Sequence, residues 1–192
     1  MSDRPFLPVA PLMIEHRLIE RMIEVMRQKT KQAEETSIPD LRFIDAAVDF
    51  IRTYADHLHH GKEEGILFRA LGAKPLSEEH RRVMDELVAE HEFGRQTTTR
   101  LVKAKARYVD GDAGALTEII DCFFALTDFY PKHIEKEDHH FFVPVMSYFS
   151  REEQDRMLAE GKEFDLKFIH GHYGSVVKEW EQGAGPTEVP GL

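Results

Sequence analysis

The stretch YADHLHHGKEEGILF, residues 54–68, carries three histidines and two glutamates within eight positions. Two of the histidines, His59 and His60, are each followed four residues later by a glutamate, Glu63 and Glu64. Residues four apart lie on one face of an α-helix. Each pair could therefore bind a metal ion, or form a weak contact on a solvated surface. The apolar pattern of the surrounding helix has to distinguish the two.

The residues at helical spacing from His59 form an apolar face, whereas those at helical spacing from His60 are polar. The apolar set is Ile44, Val48, Ile51, Ala55 and Leu67, and the polar set is Asp49, Thr53 and Asp56. We therefore expect His59 and Glu63 to be buried, and His60 and Glu64 to face solvent. A glutamate on an apolar face is unfavourable unless it is paired or binds a metal. On this interpretation, replacing His60 leaves metal content nearly unchanged.

A second pair with the same spacing occurs in FYPKHIEKEDHHFF, residues 129–142, where His133 is followed by Glu137. Its helical face is also apolar and includes Ile119, Cys122, Leu126 and Phe141. His139 falls among polar residues and is expected to be exposed. A single buried histidine is usually a core residue, and a His/Glu pair on a helix is usually a surface contact. Two such pairs on apolar faces favour a metal site.

Two further histidines lie on apolar faces of the first and third predicted helices, His16 and His91. Four helices thus each offer one inward histidine, and two of them also offer a glutamate. Four imidazoles and two carboxylates suit a pair of transition-metal ions, because a carboxylate can bridge two ions while imidazoles take outer positions. Glu20, four residues after His16, is expected on the surface or behind a ligand.

Composition places this chain of 192 residues among soluble single-domain proteins, with 42% hydrophobic residues and a formal net charge of −10. The acidity argues against nucleic acid or an anionic membrane as a partner. The single cysteine, Cys122, excludes an internal disulfide. No secretory signal and no apolar run of ~20 residues is visible, so we expect a cytoplasmic protein.

Helical periodicity predicts four long helices, over about 11–35, 41–71, 78–109 and 115–149, the last passing through Pro131 and Pro144. The first eleven residues are expected to be an extended arm. After Ser150 the pattern continues, is interrupted at Gly161, and gives a last helix over about 163–182. The expected fold is all-α, an up-and-down four-helix bundle with an additional C-terminal helix. We expect one domain over 1–182, with its four-helix core at about 10–150, its extra helix within 151–182, and a flexible tail over 183–192.

Three segments resemble motifs of the hemerythrin-like family, whose cation-binding (HHE) domain is an up-and-down four-helix bundle. They are EHRLIERMI at 15–23, HHGKEEGILF at 59–68 and HIEKEDHHFFVP at 133–144. The resemblance covers roughly residues 10–150. It implies a centre of two iron ions per chain, bridged by carboxylates and an oxo group, with Glu63 and Glu137 as the bridging residues. The ligands that it implies are His16, His59, Glu63, His91, His133 and Glu137.

The sequence departs from the oxygen-carrying members of this family in two ways. Those members have five histidines, two of them four residues apart on the third helix, whereas Leu87 and Arg95 flank His91 here. His80 lies roughly 16 Å away along a helix and cannot replace the fifth histidine. The oxygen-carrying members also use as a ligand an aspartate five residues after the fourth-helix histidine, so Asp138 is an alternative to Glu137 as a metal ligand. His170, His172 or Tyr173 could reach the centre, although an ordinary packing helix is favoured there.

The six-ligand pattern is closer to members associated with iron-centre repair and nitric-oxide response than to oxygen carriers. The resemblance implies a non-haem di-iron protein that binds a small diatomic ligand, oxygen or nitric oxide, for sensing, scavenging or stress protection. We expect a binding protein rather than an enzyme. The alternative is a di-iron redox enzyme or an iron donor for the repair of iron–sulfur proteins. A helical bundle with zinc or without metal is the simplest competing interpretation.

Overall fold

The structure is a computed structural model that describes residues 6–166 and 169–182, apart from the side chains of Ile169, His172 and Ser175. This part of the chain is helical and contains no strand, which confirms the predicted all-α class. The helices are α1, Ala10–Thr36; α2, Leu41–Gly72; α3, Glu78–Val109; α4, Ala115–Tyr148; α5, Arg151–Asp165; and α6, Ile169–Glu181.

Helices α2 and α4 are not α-helical throughout. In α2, α-helical Leu41–Asp49 and Arg69–Gly72 enclose two π-helical segments, Phe50–His60 and Glu63–Phe68. In α4, α-helical Ala115–Glu135 is followed by a π-helical segment, Lys136–Phe141, and then by a short α-helical turn and a 3₁₀ turn. These π-helical segments contain, or lie directly beside, the two His/Glu pairs found in the sequence.

Local signals in the sequence set where the helices begin. A carboxylate oxygen of Asp40 accepts a hydrogen bond from the Phe43 amide (3.1 Å), and the Ser77 hydroxyl accepts one from the His80 amide (3.1 Å). Ser150 and Glu153 form a reciprocal capping box. Because the connections over 37–40, 73–77 and 110–114 are short, consecutive long helices run antiparallel. The helical bundle is therefore as predicted.

Pro131 lies inside α4 without ending it, as the sequence pattern indicated. A proline has no amide proton, so the carbonyl group four residues earlier, at Thr127, loses its helical partner. The Arg27 guanidinium of α1 donates a hydrogen bond to this carbonyl oxygen at 3.0 Å. An inter-helix contact thus replaces the lost bond.

Two predictions about helix limits are wrong. The N-terminal segment is not extended up to Pro11, because α1 already begins at Ala10; a proline is tolerated in the first turn, where the amide would have no partner. Gly161 does not interrupt α5, which continues to Asp165. One helical glycine is unfavourable by only ~1 kcal/mol, and Met157 of α5 is buried against the bundle. The predicted tail over 183–192 lies outside the described residues.

The core consists of two apolar clusters with a polar layer between them. One cluster is built around Ile19, Tyr54, Leu101 and Leu126, and the other around Leu12, Leu67, Leu87 and Phe141. Along each of the four long helices, the buried residues between these clusters include a histidine, and on three of the helices also a glutamate. The fold therefore encloses a charged layer within the bundle, shielded from water at both ends.

Candidate metal centre

Seven histidine and glutamate side chains from all four long helices meet in the polar layer, and none is more than 2% exposed. They are His16, His59, His60, Glu63, His91, His133 and Glu137. These seven form two groups of four that share Glu63, and within each group the possible ligand atoms lie within 4.8 Å of one another. The structure thus brings together all six residues that the sequence singled out, and adds His60.

The first group consists of His16, His59, Glu63 and Glu137. The Nε2 atoms of the two histidines are 2.9 Å apart, and each lies 3.2 Å from a carboxylate oxygen, of Glu137 for His16 and of Glu63 for His59. Two imidazole nitrogens at ~2.1 Å from one ion would be about 3.0 Å apart at a right angle and about 3.4 Å apart at the tetrahedral angle. The spacing in this group is that of neighbouring ligands on a single ion.

The second group consists of His60, Glu63, His91 and His133. His91 Nε2 lies 3.2 Å from Glu63 Oε2, whereas the other oxygen of this carboxylate faces His59 in the first group. Glu137 also touches both groups, since its Oε2 lies 3.2 Å from His16 Nε2 and 3.4 Å from His133 Nε2. Both carboxylates therefore lie between the two groups and contact histidines of each.

The prediction that His60 faces solvent is wrong. Its side chain is 2% exposed and its ring stacks on that of His91, with 3.8 Å between centroids. The prediction assumed a regular α-helix, whereas Phe50–His60 is a π-helical segment. Hydrogen bonds from residue i to i+5 widen each turn and change which residues share a face. Two consecutive residues, His59 and His60, consequently both point into the bundle.

The five histidines of the two groups all direct Nδ1 outward to a carboxylate and Nε2 inward to the other ligand atoms. The partners are Asp138 for His16 (2.7 Å), Glu15 for His59 (2.8 Å), Asp56 for His60 (3.3 Å), Glu64 for His91 (2.7 Å) and Glu90 for His133 (2.9 Å). An ionised carboxylate can only accept, so Nδ1 donates in each pair and the neutral ring keeps its lone pair on Nε2. Metal-binding histidines in proteins are held in this way.

Each of these five carboxylates also forms an ion pair with a cationic side chain. Asp138 is paired with Arg17, Glu15 with Lys62, Glu90 with Lys136, and Asp56 and Glu64 with the same guanidinium, that of Arg95. The sequence pattern did not reveal these partners, because most of them lie on polar helix faces. Lys62 is only 4% exposed, which is unfavourable for an ammonium group unless it is fully paired.

The innermost polar atoms lack partners of their own. Within the described part of the chain, both oxygens of Glu63 and of Glu137 and the Nε2 atoms of His60, His91 and His133 are buried without a hydrogen bond. Buried polar atoms without a partner are rare and unfavourable. Their convergence on two small volumes fits two metal ions, which would provide every one of them with a bond.

The pKa values of the buried histidines depend strongly on burial and on the neighbouring charges of this layer. Burial, together with the charge of His91, lowers the pKa of His60 to about 3, so this ring stays neutral and able to bind a metal. Burial also disfavours the charged forms of His59 and His91. Their carboxylate neighbours, Glu63 above all for His59 and Glu137 and Glu63 for His91, nevertheless raise these pKa values to about 10 and 11. When no metal is bound, the protonated rings of His59 and His91 thus offset the negative charge of the buried carboxylates.

The alternative ligands named from the sequence lie outside the two groups. The Asp138 carboxylate accepts a hydrogen bond from Nδ1 of His16, the ring nitrogen that faces away from the two groups. Glu20 forms a surface ion pair with Arg17. The Tyr173 hydroxyl donates to Asp49. Nδ1 of His170 is hydrogen-bonded to the Tyr54 hydroxyl at 3.0 Å, and its Nε2 lies 3.7 Å from Glu15 Oε1. The side chain of His172 lies outside the described residues. Glu64 is only partly buried and holds His91, rather than standing free in solvent.

A cavity of about 180 Å³ borders the centre between α2 and α3. His60 and His91 form part of its wall, together with Gly94, Arg95 and Tyr130. A Cβ atom at Gly94 would lie 3.9 Å from the Tyr130 hydroxyl. The absence of a side chain at this position, inside a long helix, leaves the space open.

A family model described as the hemerythrin HHE cation binding domain matches residues 7–145. The chain belongs to this family. It is accordingly a metal-binding, hemerythrin-like protein, as the resemblance implied. Comparisons with curated proteins and with solved structures gave no match. Among the described helices of this hemerythrin-like chain, none has the length and apolarity required to cross a membrane.

Proposed function

We propose that this hemerythrin-like protein binds two iron ions and uses them to bind a small diatomic ligand, oxygen or nitric oxide, in sensing, scavenging or stress protection. The observation that carries the proposal is the pair of four-residue groups sharing Glu63. The ligands in this proposal are the six residues found from the sequence, His16, His59, Glu63, His91, His133 and Glu137, with His60 added. Mixed imidazole and carboxylate ligands suit iron better than they suit calcium or magnesium.

The number of histidines in the two groups supports ligand binding at one of the ions. The first group has two imidazoles and the second has three, while the two carboxylates are within reach of both. An iron ion with fewer protein ligands keeps a position for an exchangeable molecule. The proposed binding position therefore lies on the ion held by His16 and His59. When bound, iron supplies the reversible electron transfer to oxygen or nitric oxide that no side chain can supply.

The surroundings of the centre support a small ligand rather than a large one. The neighbouring cavity of about 180 Å³ is below the usual 300–1,000 Å³ of sites for drug-sized molecules. It borders the rings of His60 and His91 in the second group, and not the position held by His16 and His59, so it supports a small ligand by its size alone. The ligands themselves are almost fully buried, so a large substrate would have no approach to the metal ions.

Azide is a suitable probe, because it is a small anion that binds exchangeable positions on iron. We expect the iron-loaded protein to bind azide with a change in its absorption spectrum, and iron analysis to give two ions per chain. His170 does not belong to either group, so removing residues 151–192 should not be required for azide to bind. Two bound irons without any response to azide or nitric oxide would contradict ligand binding and favour a storage or structural role.

A further inference from the structure

Glu15, the carboxylate that accepts from His59, belongs to a chain of charged contacts that ends at the half-buried Asp165 of α5. Glu15 accepts from His59 Nδ1 through Oε2, and its other oxygen accepts from the Lys62 ammonium. Lys62 donates a second hydrogen bond to Asp165 at 2.6 Å. Asp165 is the last residue of α5 and lies beyond the segment matched by the family model, residues 7–145. A continuous series of contacts therefore joins the C-terminal segment to one of the proposed iron ligands.

This cluster could be taken for a third metal site, because ligand atoms of Glu15, Asp165 and His170 lie within 4.8 Å of one another. The Lys62 ammonium, however, is hydrogen-bonded to both carboxylates of this group. A cation of the protein thus already provides the positive charge that two neighbouring carboxylates need. The cluster is complete without a metal ion, and its function has to be sought in the charge that it presents to His59.

The strength of Glu15 as an acceptor depends on how the charge of Lys62 is shared. Because Glu15 and Lys62 are 1% and 4% exposed, water screens their interaction weakly. Asp165 shares the ammonium with Glu15, so less of its positive charge is balanced against Glu15 alone and more negative charge remains on the oxygen that faces His59. A stronger acceptor at Nδ1 makes the imidazole a better electron donor at Nε2. Better donation favours the ferric over the ferrous ion.

We propose that Asp165 is a positioning residue that acts through Lys62 and Glu15 to set the redox potential of the iron held by His59. The segment that follows the four-helix domain thereby tunes the metal centre without contributing a ligand to it. This inference rests on the proposed function, since it requires that iron is bound in the first group.

Two substitutions in the cluster should shift the potential in opposite directions. In Asp165→Asn, Lys62 keeps its full charge for Glu15, which weakens the acceptor at His59 and raises the potential. In Lys62→Met, Glu15 loses its cation, the acceptor becomes stronger and the potential falls. Substitution of a residue that is hydrogen-bonded directly to a metal ligand typically lowers metal affinity by about 10–100-fold. Asp165 lies two contacts beyond Glu15, the residue that holds His59 directly. We expect its substitution to give about a tenfold change in the ferric-to-ferrous affinity ratio, which is about 59 mV for one electron.

The matched control is Glu160→Gln, which removes one negative charge from the same helix. Glu160 pairs with Arg69 at 2.7 Å, and both side chains are largely exposed, so solvent screens this charge. We expect almost no shift of the potential in this variant. Asp165→Glu keeps the charge and should restore a potential close to that of the wild type. If Lys62→Met does not fold, the comparison of the two Asp165 variants with Glu160→Gln still tests the inference.

The measurement is a spectroelectrochemical titration of the full-length, iron-loaded protein, with iron determined for each variant. A wild-type protein that does not bind two irons would refute the proposed function itself. If the wild type binds two irons, the inference alone is refuted by a shift for Asp165→Asn no larger than that for Glu160→Gln. A potential that falls in Asp165→Asn would refute it as well.

Discussion

Replacing His60 by alanine is expected to remove metal from the second group, contrary to what a regular α-helix predicts. His60 is 2% exposed, its Nε2 has no hydrogen bond from any described residue, and its Nδ1 faces Asp56. His57 provides a matched control. It lies three residues earlier in the same π-helical segment and its side chain is exposed.

The size of the effect follows from the position of His60. Removing a residue that only holds a ligand lowers metal affinity by about 10–100-fold, so loss of the ligand itself should exceed ~100-fold, or about 2.7 kcal/mol. The stability of the metal-free protein should be affected less than the metal affinity. A large-to-small substitution in the core destabilises by about 2–5 kcal/mol, but about 1–3 kcal/mol is regained because a buried polar atom without a partner disappears.

The assay is thermal unfolding of both variants with and without iron, together with titration against a competing chelator. In the wild type and in His57→Ala, iron should raise the melting temperature by the same amount. In His60→Ala the stabilisation by iron should be much smaller, and the iron content should fall below two per chain. Equal iron affinity and equal stabilisation in the two variants would refute the assignment of His60 to the centre.

Three further predictions concern the surroundings of the ligands. Glu137→Gln should reduce the iron content below two per chain, whereas Asp138→Asn should keep two irons with about 10–100-fold weaker affinity; the reverse order, measured by iron analysis, would make Asp138 the ligand. Arg95→Met removes the one cation shared by Asp56 and Glu64 and should weaken iron binding, while the exposed Arg100→Met should not; chelator competition distinguishes them. The pKa values of His59 and His91 are raised from 6.5 to about 10 and 11 in the metal-free protein. The stability that they contribute is therefore complete below about pH 6.5 and is lost as the pH rises through these values. Urea unfolding of the metal-free protein should show this decrease, and calorimetry in buffers of different ionisation enthalpy should show protons released when metal binds at pH 7.

The apolar pattern of the sequence was sufficient to place His59 and Glu63, and His133 and Glu137, inside the bundle. A carboxylate among apolar residues at helical spacing is unfavourable unless it is paired or binds a metal, so its position alone indicates a buried polar site. The same pattern failed for His60, because it assumed a uniform helical period, and nothing in the local composition indicated the π-helical segment. The helix limits were predicted well where Asp40, Ser77 and Ser150 provide caps.

The residues behind the ligands could not be found from spacing alone. Glu15, Glu90 and Arg95 are charged residues in helices rich in charge, and only the packing of neighbouring helices shows that each meets a histidine or its carboxylate. Lys62 is a clearer example. A lysine between a glycine and a glutamate is ordinarily expected in solvent, yet it is buried because Glu15 and Asp165 approach it from other helices.

The most direct test is a crystal structure of the iron-loaded, full-length protein with anomalous diffraction measured at the iron absorption edge. We predict two anomalous peaks per chain. One should lie between His16 and His59, the other should lie among His60, His91 and His133, and Glu63 should contact both. A single peak, or a peak between Glu15, Asp165 and His170 in place of either, would contradict the proposal that this hemerythrin-like protein holds a pair of iron ions.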